Sequence, residues 1–132
     1  MMVLLDTNIC IYLIKKQSPS IVEKLKSVPM DSLGISSITL AELEFGIAKS
    51  KFQEKNQQAL QNFLLPFVIY PFDDLAAMEY GNLRYYLEKK GKTIGSLDLL
   101  IAAHALSLKS TLITNNVKEF KRVPKLLIEN WK

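Results

Sequence analysis

The sequence predicts an α/β fold, a three-layer α/β/α sandwich around a central, mostly parallel sheet of four to five strands. Three observations carry that expectation. Short apolar runs alternate with stretches of helical periodicity along the whole chain, the pattern of strand–helix units joined by crossovers. The first run, from Met2 to Leu5, is apolar without a break, as in a strand buried on both faces. Polar residues recur where strands give out, and in an open parallel sheet with right-handed crossovers those ends share one ligand-binding edge.

With 132 residues and 48% hydrophobic content, the chain suffices for one domain spanning 1–132 and is short for two. Its single cysteine, Cys10, has no partner for an internal disulfide and sits in an apolar helical stretch, which suggests packing in a reducing compartment. The start of the chain lacks a basic segment, and Asp6 interrupts its short apolar stretch. Neither a signal peptide nor a membrane span is expected, and the cytoplasm is the expected location. The formal net charge of +4 and pI near 9.1 tilt the expectation toward a polyanionic partner such as nucleic acid, although mild basicity also serves solubility.

The opening strand stops at Asp6, a carboxylate with two readings: cap of the following helix, or ligand-binding group on the sheet edge. Ile9, Leu13 and Ile14 keep helical spacing as far as Lys15-Lys16. Ser18-Pro19-Ser20 then breaks the chain before a second short helix over residues 21–28, bearing Val22, Leu25 and Val28. Leu33-Gly34-Ile35-Ser36 predicts a second strand. Thr39-Leu40-Ala41-Glu42 opens a helix with Leu43 and Ile47 inward, and Thr39 and Glu42 have capping-box spacing, which gives Glu42 a structural role.

Residues 50–63 are polar and glutamine-rich before Leu60, Phe63 and Leu64, as in a partly exposed helix or helical hairpin arm that Pro66 ends. Phe67-Val68-Ile69-Tyr70 predicts a third strand, Asp73 an N-cap, and Leu75 to Lys90 a long helix stopped by Gly91. Lys89, Lys90 and Lys92, with Arg84 upstream, either face phosphates or complement the negative end of that helix; the second role suits Lys89 and Lys90 better, and Arg84 fits either.

Ser96 caps the next expected helix, with Asp98 in its first turn. The run from Leu97 to Leu108 is apolar nearly all round, which places this helix centrally. A carboxylate there is costly to desolvate unless the helix N-terminus or a metal ion offsets it. His104, the only histidine, lies six residues on and about 120° around the helix from Asp98, and reads as a packed histidine. Thr111-Leu112-Ile113-Thr114 predicts a fourth strand, followed by Asn115-Asn116 and Val117-Lys118-Glu119-Phe120. Leu126 to Ile128 adds a last short strand, and Trp131 closes against the domain.

Asp6, Glu42, Asp98 and the Asn116/Glu119 pair all fall at or just beyond strand ends. A carboxylate cluster without a second histidine suits hard divalent cations bound through oxygen, Mg²⁺ or Mn²⁺ rather than Zn²⁺. Such ions activate water and neutralise phosphate charge, the chemistry of carboxylate-cluster nucleases.

Four stretches, Leu5-Asp6-Thr7-Asn8, Ser36-Ser37-Ile38-Thr39-Leu40-Ala41-Glu42-Leu43 with Gly46, Asp98-Leu99-Leu100-Ile101-Ala102, and Thr114-Asn115-Asn116 with Glu119-Phe120, together resemble the PIN-domain endoribonucleases. Within them the chain is similar to the VapC-like toxins of bacterial type II toxin–antitoxin modules. The resemblance spans essentially the whole chain. It implies an α/β/α sandwich that cuts structured or single-stranded RNA, tRNA among them, with Mg²⁺ or Mn²⁺ held chiefly by Asp6 and Asp98. Glu42 would be a further acidic site residue. It also implies a homodimer and a small VapB-like antitoxin, encoded nearby, that masks the site in a hetero-oligomer.

One position departs from the family pattern. Asn116 stands where many PIN domains place a fourth Asp, with Glu119 one turn on, so three acids at Asp6, Glu42 and Asp98 would hold one metal firmly and a second weakly. Two other readings compete. A phosphate-accepting receiver domain would use Asp6 with Asp73-Asp74, but wants a second acid beside Asp6 and a lysine after the last strand, near where Thr7 and Asn115 stand. A catalytically inactive RNA-binding domain would suit an emptied site, against which Asp6, Glu42 and Asp98 argue.

Overall fold

A computed structural model describes residues 2–132. Its elements in chain order are β1 (Val3–Leu5), α1 (Thr7–Ile14), α2 (Pro19–Lys26), β2 (Leu33–Ser36), α3 (Ser37–Ala48), α4 (Gln53–Leu64), β3 (Val68–Tyr70), α5 (Asp74–Lys90), α6 (Ser96–Leu108), β4 (Thr111–Ile113), α7 (Val117–Phe120) and β5 (Leu127–Glu129). The sheet has five strands in the order β3-β2-β1-β4-β5, and every neighbouring pair is parallel.

β1 is the middle strand. Val3 pairs with Leu33 on one side and Thr111 on the other, so its backbone is satisfied from both edges. Alternation sends Val3 and Leu5 to one face and Leu4 to the other. The first face packs with Ile9, Cys10, Leu13, Ile21, Leu43 and Leu60 from α1 to α4. The second packs with Leu83, Leu87, Ile101, Ala105 and Phe120 from α5 to α7. Helices cover both faces, which makes the three layers.

From β1 the chain steps outward through β2 and β3, then returns to the opposite side of β1 as β4. The direction of winding therefore reverses between β1 and β4, and the crevice beyond their carboxyl ends is where open α/β sheets bind ligands. Asp6 and Thr114 follow those two strands, and the Asp6 N–H donates to the Ile113 carbonyl at 3.0 Å, tying the ends together.

Several boundaries differ from the expected ones for local reasons. The strand over Phe67–Tyr70 is shorter and lies at the sheet edge, where Val68 and Ile69 stay 45% and 39% exposed. α3 starts at Ser37, because the Ser36 hydroxyl accepts from the Ile38 N–H at 3.0 Å and caps the helix before Thr39 is reached. The expected Thr39/Glu42 capping box does not form. α6 is capped at Gly95, not Ser96, without a side-chain cap of its own. The glutamine-rich stretch resolves as α4, and the last strand runs one residue later than Leu126–Ile128. α5 ends at Gly91, whose φ of +67 lies in the left-handed region that glycine enters without strain.

His104 is packed, as expected. It is 1% exposed, its Nδ1 lies 2.7 Å from the Ser36 hydroxyl, and its ring meets Phe72 edge-on. Burial lowers its pKa. Among the described residues no helix is long and apolar enough to cross a membrane.

Candidate active site

Asp6 caps α1 and also lies on the sheet edge where a ligand-binding group would stand. Its Oδ1 accepts from the Ile9 N–H at 2.9 Å and caps α1, yet the carboxylate is only 4% exposed and sits on the ligand-binding edge. Burial raises its pKa above the usual carboxylate range. The Thr114 side chain and the N–H groups of Ile9 and Asn8 offset part of that rise, while the Glu42 charge adds to it.

Glu42 comes from one turn inside α3, and a contact distant in sequence fixes it. The Thr7 hydroxyl donates to its Oε1 at 2.6 Å and lies 3.4 Å from the Thr39 hydroxyl, so the first residue of α1 holds the acid of α3 beside Asp6. In the sequence Thr7 lies in a motif and Thr114 closes a strand, and neither position carries a role there. A hydroxyl directly after a strand-end carboxylate was the available signal.

Asp98 lies in the first turn of α6, half-buried, with its pKa raised to about 6. Desolvation is the largest cause, followed by the charges of Glu119, Asp6 and Glu42. Asp98 thus feels carboxylates carried by three other elements, in addition to its own burial. Asn116 sits among them. Its side-chain amide donates to Asp98 Oδ2 at 3.2 Å and to Glu119 Oε2 at 2.9 Å, while its own N–H reaches the Thr114 hydroxyl at 2.9 Å.

Glu119 completes the group as a brace. Its Oε1 accepts from the Gly95 N–H at 2.5 Å, supplying the cap that α6 otherwise lacks. That bond, then the Asn116 amide, lowers its pKa. The structure therefore brings together Asp6, Glu42, Asp98, Asn116 and Glu119. It does not bring Asp73-Asp74 to them: Asp73 caps α5 through the Ala76 N–H at 3.0 Å, beyond the edge strand β3 and two strands away from β1. The receiver reading fails on that distance.

The donor set is all oxygen, which fits a hard divalent cation. Among the described residues no three acidic, histidine or cysteine side chains stand close enough to hold one ion between them. That still suits Mg²⁺, which keeps most of its water shell and takes one or two carboxylates directly.

A parallel sheet with acidic residues gathered at its switch point defines a class of α/β domains that present carboxylates on the ligand-binding edge. Residues 3–126 match the PIN domain family. The chain is 48% identical to the ribonuclease VapC2 of Rickettsia felis, over 99% of this chain and 98% of that protein. It is 38% identical to the tRNA(fMet)-specific endonuclease VapC of Shigella flexneri, over 97% and 96%. Its backbone superposes on one chain of the VapBC2 structure of Rickettsia felis, solved with a DNA fragment from its promoter, with a TM-score of 0.95 and 47% identity over 100% of both chains. The protein belongs to the PIN-domain family, in its VapC branch.

Proposed function

We propose that this protein is a divalent-metal-dependent endoribonuclease, the toxin of a toxin–antitoxin pair, and that it cuts structured RNA such as tRNA. The observation that carries the reading is the convergence of Asp6, Glu42, Asp98 and Glu119 on one sheet edge, where burial first and then the charges of the other three raise the Asp98 pKa to about 6. Positive charge beside such a cluster favours its ionised form.

Asp6 and Asp98 would hold Mg²⁺ or Mn²⁺, which when bound supplies an activated water and neutralises charge on the phosphodiester. Burial fixes Asp6 through the α1 cap, so its carboxylate is positioned before any ligand arrives. Glu42, held by Thr7, either contacts the ion's water shell or receives a proton. The Asn116 amide sets the orientation of Asp98 and gives the site a neutral neighbour in place of a fourth Asp.

The same cluster accounts for restraint by a partner. A guanidinium from a small VapB-like antitoxin offers bidentate bonds to carboxylates and replaces the metal's charge. The working assembly on this reading is a homodimer joined to that antitoxin in the cytoplasm, where the RNA is. The test is to incubate the purified protein with bulk tRNA and Mg²⁺ and map new RNA ends. Discrete ends that vanish in EDTA and in Asp98→Asn support the reading; intact RNA across all metals, with RNA still bound, marks an inactive binding domain instead.

A further inference from the structure

We infer that the cleft between the α5–α6 connection and α7 is a subsite that holds the phosphodiester backbone of single-stranded RNA leading into the acidic site. The inference rests on the ribonuclease reading and adds where the substrate is gripped. The cleft has a volume of about 390 Å³ and is lined by Gly91, Lys92, Lys118, Lys121 and Arg122. Every charged side chain lining it is a cation. A cleft of that volume is of small-ligand size and takes one backbone, not the face of a duplex.

Three of these cations, Lys92, Lys118 and Lys121, have no structural employment. Among the described residues the ion pairs are Lys26 with Glu23 and Arg84 with Glu88, so none of the four lining cations is in an ion pair, and only Arg122 feels a nearby carboxylate, that of Glu119. Arg84, placed by the sequence with either role, is therefore accounted for by Glu88 and by Tyr80, whose hydroxyl it meets at 3.0 Å. Lys89 and Lys90 occupy the last turn of α5 over the rings of Tyr85 and Tyr86, where the helix dipole and the aromatic faces explain them. Lys92, Lys118 and Lys121 lie beyond such partners.

The walls of the cleft are pinned to each other. Arg122 Nη1 donates to the Thr93 carbonyl at 2.9 Å, and Glu119 holds the Gly95 N–H. Glu119 is the shared boundary: its carboxylate reaches Asn116 on the acidic side, while Lys118 and Lys121 flank it in sequence and line the basic side. A polyanion approaching Asp6, Glu42 and Asp98 is repelled, and the unpaired Lys118 and Lys121 just beyond that boundary supply the opposing attraction.

The test measures binding without cutting. A fluorescein-labelled single-stranded oligoribonucleotide of mixed sequence is titrated in EDTA over a series of KCl concentrations, by fluorescence anisotropy. At about 0.7 in the log–log salt slope per phosphate contact on a single strand, Lys118→Ala with Lys121→Ala lowers the slope by about 1.4, and Lys92→Ala alone by about 0.7. Lys24→Ala with Lys26→Ala removes equal charge from α2 and leaves the slope unchanged. Unchanged slopes in the cleft variants overturn the subsite. Equal falls in both double variants overturn it too, since net charge alone would then account for binding. RNA held through the cleft but never cut in Mg²⁺ would overturn the ribonuclease reading and leave the subsite standing.

Discussion

The hydroxyl of Thr7, the first residue of α1, donates to the carboxylate of Glu42 on α3 at 2.6 Å and so fixes an acid thirty-five positions away in the chain. Replacing Thr7 by Val removes a bond to a charged acceptor, worth about 1.5–3 kcal/mol where buried and less at this half-exposed site. Thr7→Val is expected to raise the Mg²⁺ concentration for half-maximal RNA cleavage several-fold, and Thr7→Ser to restore it. Equal Mg²⁺ dependence in all three proteins would show that Glu42 works without this bond.

Asp6 separates stability from activity. Asn caps helices about as well as Asp, and burial already raises the Asp6 pKa, so Asp6→Asn is expected to fold with unchanged stability and lose cleavage. Asp6→Ala loses both, with about 0.5–2 kcal/mol of stability from the missing cap. Urea denaturation beside an RNA cleavage assay tells them apart. An active Asp6→Asn enzyme would remove Asp6 from the metal site.

Asp98 gives the metal-free protein an inverted pH response. Its pKa rises from 3.8 to about 6 on folding, so the folded state binds the proton more tightly. The stability this confers is fully present below 3.8 and is lost as pH climbs through about 6. His104 acts in the opposite sense, since its lowered pKa gives stability that is lost as pH falls below its ordinary value of 6.5. The comparison is therefore between wild type and Asp98→Asn in EDTA: the variant gains most at neutral pH and nothing under acid conditions. A difference that does not vary with pH would place Asp98 outside the repulsive cluster. With Mg²⁺ present, the acid limb of the cleavage profile should move below 6 as the ion's charge favours the carboxylate.

The Ser36 hydroxyl serves two partners, the Ile38 N–H and His104 Nδ1. Ser36→Ala leaves a buried ring nitrogen unpaired, which costs about 1–3 kcal/mol, and removes a cap. Thermal melts should show a large loss of stability with cleavage per folded molecule retained. Unaltered melting would mean the ring finds another partner.

Periodicity and turn chemistry made the layers and the parallel sheet legible, because Val3-Leu4-Leu5 and Leu112-Ile113 carry two-sided burial in their composition; the strand order came only with the structure. The strand-end carboxylates were legible for the same reason. What sequence could not show were bonds between distant side chains: Thr7 to Glu42, Ser36 to His104 and Glu119 to Gly95 join elements whose mutual approach depends on the finished sheet. The edge position of β3 was hidden as well, since Val68-Ile69-Tyr70 reads as any buried strand until its neighbour is known to be missing on one side.

Asn116 and Glu119 can now be separated. Both Glu119 oxygens are occupied, one by the Gly95 N–H and one by the Asn116 amide, and its lowered pKa reflects those bonds. Glu119 is therefore expected to act by positioning the start of α6, and with it Asp98, rather than as an ion ligand. Gln at this position keeps an acceptor for Gly95, so Glu119→Gln should cut RNA with a nearly unchanged Mg²⁺ dependence. Glu119→Ala frees the Gly95 N–H and should lower the cleavage rate without altering which bond is cut. Asn116→Asp acts differently, since it sets a fresh carboxylate against Asp98 and Glu119 in place of a donor. Like charges at that spacing destabilise the metal-free protein and favour a cation, so this variant should melt lower in EDTA and reach half-maximal cleavage at less Mg²⁺. If Glu119→Gln instead demands much more Mg²⁺, and adding Asn116→Asp brings the requirement back down, the Glu119 charge belongs to the metal site and its bond to Gly95 is secondary.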